Sequence, residues 1–110
     1  MTAEKGVPDH VRIDLRRRLE AHARGELGSR VRELILTFRA RFAYVDAVID
    51  EPDPGTIHLF RLRYTGHPDA WHFAFYKYSD GRYEPSVGMT GSFLVTPEEA
   101  LDCAAFAYLR

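Results

Sequence analysis

Hydrophobic positions along the chain change period as the sequence is read from its start. Val11, Leu15, Leu19 and Ala23 recur four residues apart, the stripe of an amphipathic helix. From Val31 to Tyr78 the period falls to two, the signature of strands with one buried face. From Pro97 a helical pattern returns, and no residue from Cys103 to Leu109 is charged. The pattern predicts an α+β domain: an N-terminal helix, an antiparallel three- to five-stranded meander, and a C-terminal helix, packed as a two-layer sandwich.

Read as three long strands, the central stretch assigns its faces directly. In the first strand Leu36, Phe38, Ala40, Phe42 and Tyr44 point one way, and Thr37, Arg39, Arg41, Ala43 and Val45 the other. In the second, Phe60, Leu62 and Tyr64 oppose Ile57, Leu59, Arg61 and Arg63. In the third, Trp71, Phe73 and Phe75 oppose His72, Ala74, Tyr76 and Tyr78. Facing residues of an antiparallel pair share a face. Phe42 and Tyr44 are therefore expected beside Phe60 and Leu62. Tyr64 is expected opposite Trp71, Leu62 opposite Phe73, and Phe60 opposite Phe75. A slip of one residue would put Arg61 and Arg63 among the aromatics, and that cost fixes the register.

Local signals set the element ends. Asp9 is expected to cap the first helix, and Gly25 and Gly28 to end it. Residues 1–8 are expected to be disordered. Loops are expected at Asp50–Gly55, Thr65–Asp69 and Ser79–Arg82, the last on its Asp-Gly pair. Tyr83–Val87 reads as an edge strand because Pro85 cannot donate to a ladder. Ser92–Val95 reads as one more short strand. Thr96-Pro97-Glu98-Glu99 carries a cap, a first-turn proline and a capping-box glutamate. The closing helix should be buried nearly all round in its last two turns.

Length and charge narrow the class. The 110 residues suit a single domain, and no apolar run approaches the ~20 residues of a membrane span. Nothing resembles a signal peptide, and a lone Cys103 fits a reducing compartment, so a cytoplasmic protein is expected. Net charge is −1, yet residues 1–45 hold ten Lys/Arg against six Asp/Glu, and residues 46–110 hold five against ten. That asymmetry permits a basic contact surface on a chain that is not basic as a whole.

Arg41-Phe42-Ala43-Tyr44-Val45-Asp46, Arg61-Leu62-Arg63-Tyr64-Thr65-Gly66 and Thr96-Pro97-Glu98-Glu99-Ala100-Leu101-Asp102-Cys103-Ala104 together resemble a group of small uncharacterised proteins of high-GC, chiefly actinobacterial, genomes. The resemblance covers roughly residues 12–109. It implies a cytoplasmic bacterial protein and carries no activity, ligand or catalytic residue with it. The element order is also similar to the double-stranded-RNA-binding domain. The closing helix here begins with Pro97-Glu98-Glu99, acidic where that domain meets RNA.

The candidate binding residues are Arg39, Arg41, Arg61, Arg63 and His72, with Tyr76 and Tyr78 further along the same face. Guanidinium groups neutralise phosphates and tyrosines stack on bases. The plain alternative is a solvated strand face. Arg16-Arg17-Arg18 reads as a solvated helix face, with the Arg18 stem over apolar surface. No pair of histidines has the one-face spacing of zinc ligands, so no metal and no cofactor is expected. Cys103 reads as a buried structural thiol, Gly88–Ser92 as a turn, and Asp50, Glu51 and Asp53 as a solvated loop; no catalytic set is expected. Val45, Ile57, Leu59, Tyr76 and Tyr78 are expected to form an apolar patch that either a partner or the first helix covers. On that basis the first functional expectation is a non-enzymatic protein-interaction or homo-oligomerising module. The alternative is a nucleic-acid-binding domain, and the third a small ligand-binding protein or enzyme.

Overall fold

The computed structural model describes residues 6–50 and 53–108. Its elements are α1 (Asp9–Glu26), a 3-10 turn (Gly28–Arg30), β1 (Glu33–Arg39), β2 (Phe42–Ile49), β3 (Gly55–His67), β4 (Ala70–Lys77), β5 (Arg82–Ser86), β6 (Leu94–Val95) and α2 (Pro97–Tyr108). The strands form one antiparallel sheet in the order β1-β2-β3-β4-β5. β6 pairs with the start of β4, beyond the end of β5, through Trp71↔Val95 and His72↔Leu94. Thirteen extended residues in β3 reach about 43 Å, close to the 48 Å long axis of the protein.

Both helices cover the same face of the sheet. Val11, Leu15, Leu19 and Ala23 of α1 and Ala100, Leu101 and Ala104 of α2 join Leu34, Leu36, Ala43, Val45, Leu62 and Phe73 in one core. Trp71 is buried completely, and its indole N–H donates to the Pro68 carbonyl at 2.8 Å, so no polar atom is stranded by burying the ring. The β3–β4 register is the expected one: Phe60↔Phe75, Leu62↔Phe73 and Tyr64↔Trp71. Alternating aromatics on two neighbouring strands leave no second solution.

The first strand of the expected meander is two strands. Arg39 faces Phe42, so Ala40 and Arg41 form a two-residue turn, with Ala40 at a φ of +52°. No Gly, Asn or Asp marks it. The turn reverses the parity of everything after it. In an unbroken strand Phe38 and Phe42 share a face; across this turn Arg39 and Phe42 do. Ala43 and Val45 therefore point inward, opposite Leu62 and Phe60, and Phe42 and Tyr44 point outward, opposite Arg63 and Arg61.

A second parity change lies in β3. Val45 faces Phe60 while Asp46 faces His58, so Leu59 is an extra residue, a β-bulge. Leu59 and Phe60 are both fully buried. The expected apolar patch on the outer face is thereby undone: Val45 and Leu59 belong to the core, and Ile57 packs against it. His58, which would share the face of Phe60 in an unbroken strand, lies on the outer face instead.

Smaller corrections follow the same logic. Asp9 is the first helical residue and not the cap; Pro8 precedes the helix, and its carbonyl accepts from the N–H groups of Val11 and Arg12. Of the expected disordered stretch, residues 1–5 lie outside the described residues, and Val7 is buried in the core. α2 is less enclosed than its composition suggests: Phe106 is 64% exposed. Leu109, the last residue of the uncharged run, lies outside the described residues, as do Glu51 and Pro52 of the first loop.

Candidate functional site on the open face of the sheet

The outer face carries no second layer among the described residues, and its side chains are rings and cations. Phe42 and Tyr44 come from β2, Arg61 and Arg63 from β3, His72 and Tyr76 from β4, and Tyr83 from β5. The rings touch in sequence across the strands. Centroids are 6.1 Å apart for Phe42–Tyr44, 5.4 Å for Tyr44–Tyr83 and 5.0 Å for Tyr83–Tyr76. Their planes are tilted or edge-on, the favoured geometry for neighbouring rings.

Arg61 sits in the middle of this row. Its guanidinium lies 4.6 Å from the Phe42 centroid and 5.3 Å from that of Tyr83. Cation–π contact holds the group in place without neutralising its charge. Neither Arg61 nor the exposed Arg63 has an ion pair with a carboxylate among the described residues. The acid this face does carry beside the row, Asp46, is paired with His58 and not with an arginine.

Beside Arg61 the sheet dips. Ala74, the residue opposite Arg61 on β4, is too small to fill its place, and Pro85 follows on β5. The hollow has a volume of about 260 Å³ and is lined by Phe42, Arg61, Arg63, His72, Ala74 and Pro85. Its walls are apolar and its rim is cationic.

The far end of the face is different. His58 Nδ1 lies 3.0 Å from Asp46, and the His58 ring packs on Tyr76 at 4.6 Å. The His58 backbone N–H donates to the Tyr78 hydroxyl at 2.7 Å, and that hydroxyl donates back to the His58 carbonyl at 3.2 Å. Burial, reinforced by nearby Asp46, pushes the Tyr83 phenol up to about 12. Burial also raises the phenols of Tyr78 and Tyr108.

Of the residues expected here, the fold brings together Arg39, Arg61, Arg63, His72 and Tyr76 on the outer face. Arg41 stands in the β1–β2 turn, its guanidinium 5.8 Å from the ring of Tyr64, which belongs to the inner face. Tyr78 lies just beyond the end of β4 and contacts Tyr76 and Tyr108. Phe42, Tyr44, Tyr83 and Pro85 were not expected in the site. The unmarked turn at Ala40 hid the first two. Tyr83 and Pro85 were legible as an edge strand but not as ring neighbours of Tyr44 and Arg61.

Elsewhere the polar chemistry serves the fold. Arg18 of α1 donates two hydrogen bonds to Glu98 of α2, at 2.8 and 2.7 Å, and also reaches Asp69 at 2.9 Å. His22 Nε2 lies 2.7 Å from Asp102. Cys103 is buried, and burial together with the Glu99 carboxylate raises its thiol, which suppresses the reactive thiolate. No group of three His, Cys, Asp or Glu side chains suited to a metal occurs among the described residues. No described helix is long and apolar enough to cross a membrane. Comparison with known protein families, with curated proteins and with solved structures finds no match.

Proposed function

We propose that the protein is a non-enzymatic binding module whose working surface is the open face of its sheet, and that its partner is anionic. The observation that carries this reading is Arg61: a guanidinium held between Phe42 and Tyr83, with no carboxylate partner among the described residues, on a face that no described helix covers. A charge positioned by its neighbours but not neutralised by them is ready to meet an opposite charge from outside. The expectation of a covered apolar patch no longer supports a purely apolar interface, because Val45 and Leu59 are core residues.

Retention on a heparin column tests the reading. The chain is weakly acidic overall, so binding must come from a local surface. Arg61→Ala with Arg63→Ala removes two charges from the open face. Arg16→Ala with Arg17→Ala removes two from exposed positions on α1. The first pair should elute at clearly lower salt than the wild type, and the second close to it. Equal shifts would show that net charge, and not this face, governs retention.

A further inference from the structure

The open face combines two features that an anionic partner need not require together: cations that no described carboxylate neutralises and a row of aromatic rings. We infer that its ligand is a single-stranded nucleic acid, with one base seated in the hollow over Ala74 and the phosphates on either side drawn to Arg61 and Arg63. The inference rests on the proposed anionic reading of this face and names the class of partner.

The hollow argues for the base. Pockets that enclose whole small ligands run to about 300–1,000 Å³. At about 260 Å³ and open to solvent, this one suits a single ring system that continues into a longer molecule. The Phe42 ring and Pro85 give it apolar walls and the Ala74 methyl an apolar floor, while Arg61, Arg63 and His72 stand at its rim. A ligand that fills it must be flat and apolar on its faces and must carry charge beside the ring. A nucleotide in a chain has that pattern at every repeat. An acidic peptide supplies the charge on a short side chain and leaves the apolar lining in water.

The ring row argues for a single strand. Phe42, Tyr44, Tyr83 and Tyr76 lie at successive centroid distances of 5.0 to 6.1 Å. Sheet faces that take single strands do so by stacking unpaired bases on such side chains. The bases of a duplex are already stacked and cannot reach them. Charge falls off along the row: Arg39 and Arg63 lie at the Phe42 end, and Asp46 lies against His58 at the Tyr76 end. Contact with phosphates is therefore concentrated at the first end.

Fluorescence anisotropy on the full chain decides the matter, with labelled twelve-nucleotide dT and rU strands, a duplex of the same length and a labelled ten-residue glutamate peptide as probes. The single strands should bind, and the duplex and the peptide at least tenfold more weakly. Arg61→Ala with Arg63→Ala should flatten the slope of log affinity against log salt by about 0.7 for each phosphate no longer neutralised. Phe42→Leu should leave the slope unchanged while weakening binding about five- to a hundredfold. Arg63 is exposed, so Arg63→Glu alone gives a folded variant that should bind far more weakly. Peptide bound as tightly as the strands would overturn the nucleic-acid inference and leave the anionic reading standing. Duplex bound as tightly would overturn the stacking that defines it. No binding of any probe would overturn both.

Discussion

Arg18 and Glu98, eighty positions apart in the sequence, meet through two hydrogen bonds of 2.8 and 2.7 Å and tie the middle of α1 to the first turn of α2. Asp69, in the β3–β4 turn, takes a third contact from the same guanidinium at 2.9 Å. One side chain thus joins both helices and a turn of the sheet. Its side chain is 24% exposed and that of Glu98 33%, which places the pair between surface ion pairs and fully buried ones. Arg18→Ala should cost about 1–2 kcal/mol, read from chemical denaturation. A double-mutant cycle with Glu98→Gln should recover most of that loss as coupling.

The same pair sets a pH dependence. The bond from Arg18, more than any other influence, holds the Glu98 carboxyl below its ordinary value of 4.5. A carboxylate with a lower pKa in the folded than in the unfolded chain adds stability above the unfolded value. That stability drains away as the pH falls through the folded one. The gap in melting temperature between wild type and Arg18→Ala should be widest near neutrality and should narrow below pH 4.5.

Phe73 is 2% exposed and packs edge-on against Phe60 and Phe75 with centroids 5.9 and 4.7 Å away. Phe73→Ala opens a cavity at the centre of the inner face. The expected loss is about 3–5 kcal/mol, and an unchanged melting temperature would contradict the packing.

Gly88 is buried against α2. A Cβ built there would clash with Glu99 Oε2 and lie 2.7 Å from Val95 Cγ1. Val95 is itself buried and fixed in β6, so it cannot yield as a free side chain would. Gly88→Ala should destabilise by about 1–3 kcal/mol through overpacking, measured by thermal melting.

Tyr83 offers a spectroscopic marker for the open face. Its phenol is pushed from the ordinary 10.0 up to about 12. An acid raised on folding contributes stability below the unfolded pKa and loses it as the pH rises through the folded one. Absorbance titration at the tyrosinate band should show a late-ionising phenol that Tyr83→Phe removes. Wild-type stability should fall between pH 10 and 12 more steeply than that of the variant.

The parts of the fold legible in the sequence were those with redundant signals. The α1 stripe and the β3–β4 register each rest on several aligned positions, and any alternative buries charge. The β1–β2 turn rests on Ala40, a residue whose side chain gives no hint of a positive φ. Leu59 gave a faint clue, since two adjacent apolar residues cannot both face inward from a regular strand. Between them these two positions decided which of Phe42 or Ala43, and which of Leu59 or His58, belong to the site. Arg39, Arg61 and Arg63 were legible because arginine is excluded from a core, whereas Arg41 fell in the unmarked turn; the ring neighbours were not legible, because an aromatic residue suits either face. The Arg18–Glu98 contact joins elements whose mutual placement no local pattern encodes.

The bulge at Leu59 puts the two halves of β3 in opposite sequence parity, which makes it a point where the strand can lose a residue without turning a face over. Replacing Leu59 with another apolar side chain keeps His58 outside and Phe60 inside. Deleting it would bring His58 and Phe60 into regular alternation, with His58, Arg61 and Arg63 still outside and Ile57, Phe60 and Leu62 still inside, at the cost of one fully buried leucine. The bulge thus absorbs a one-residue gap: in an insertion–deletion scan of the gene, loss of Leu59 should act through lost core packing while each face of the sheet keeps its residues.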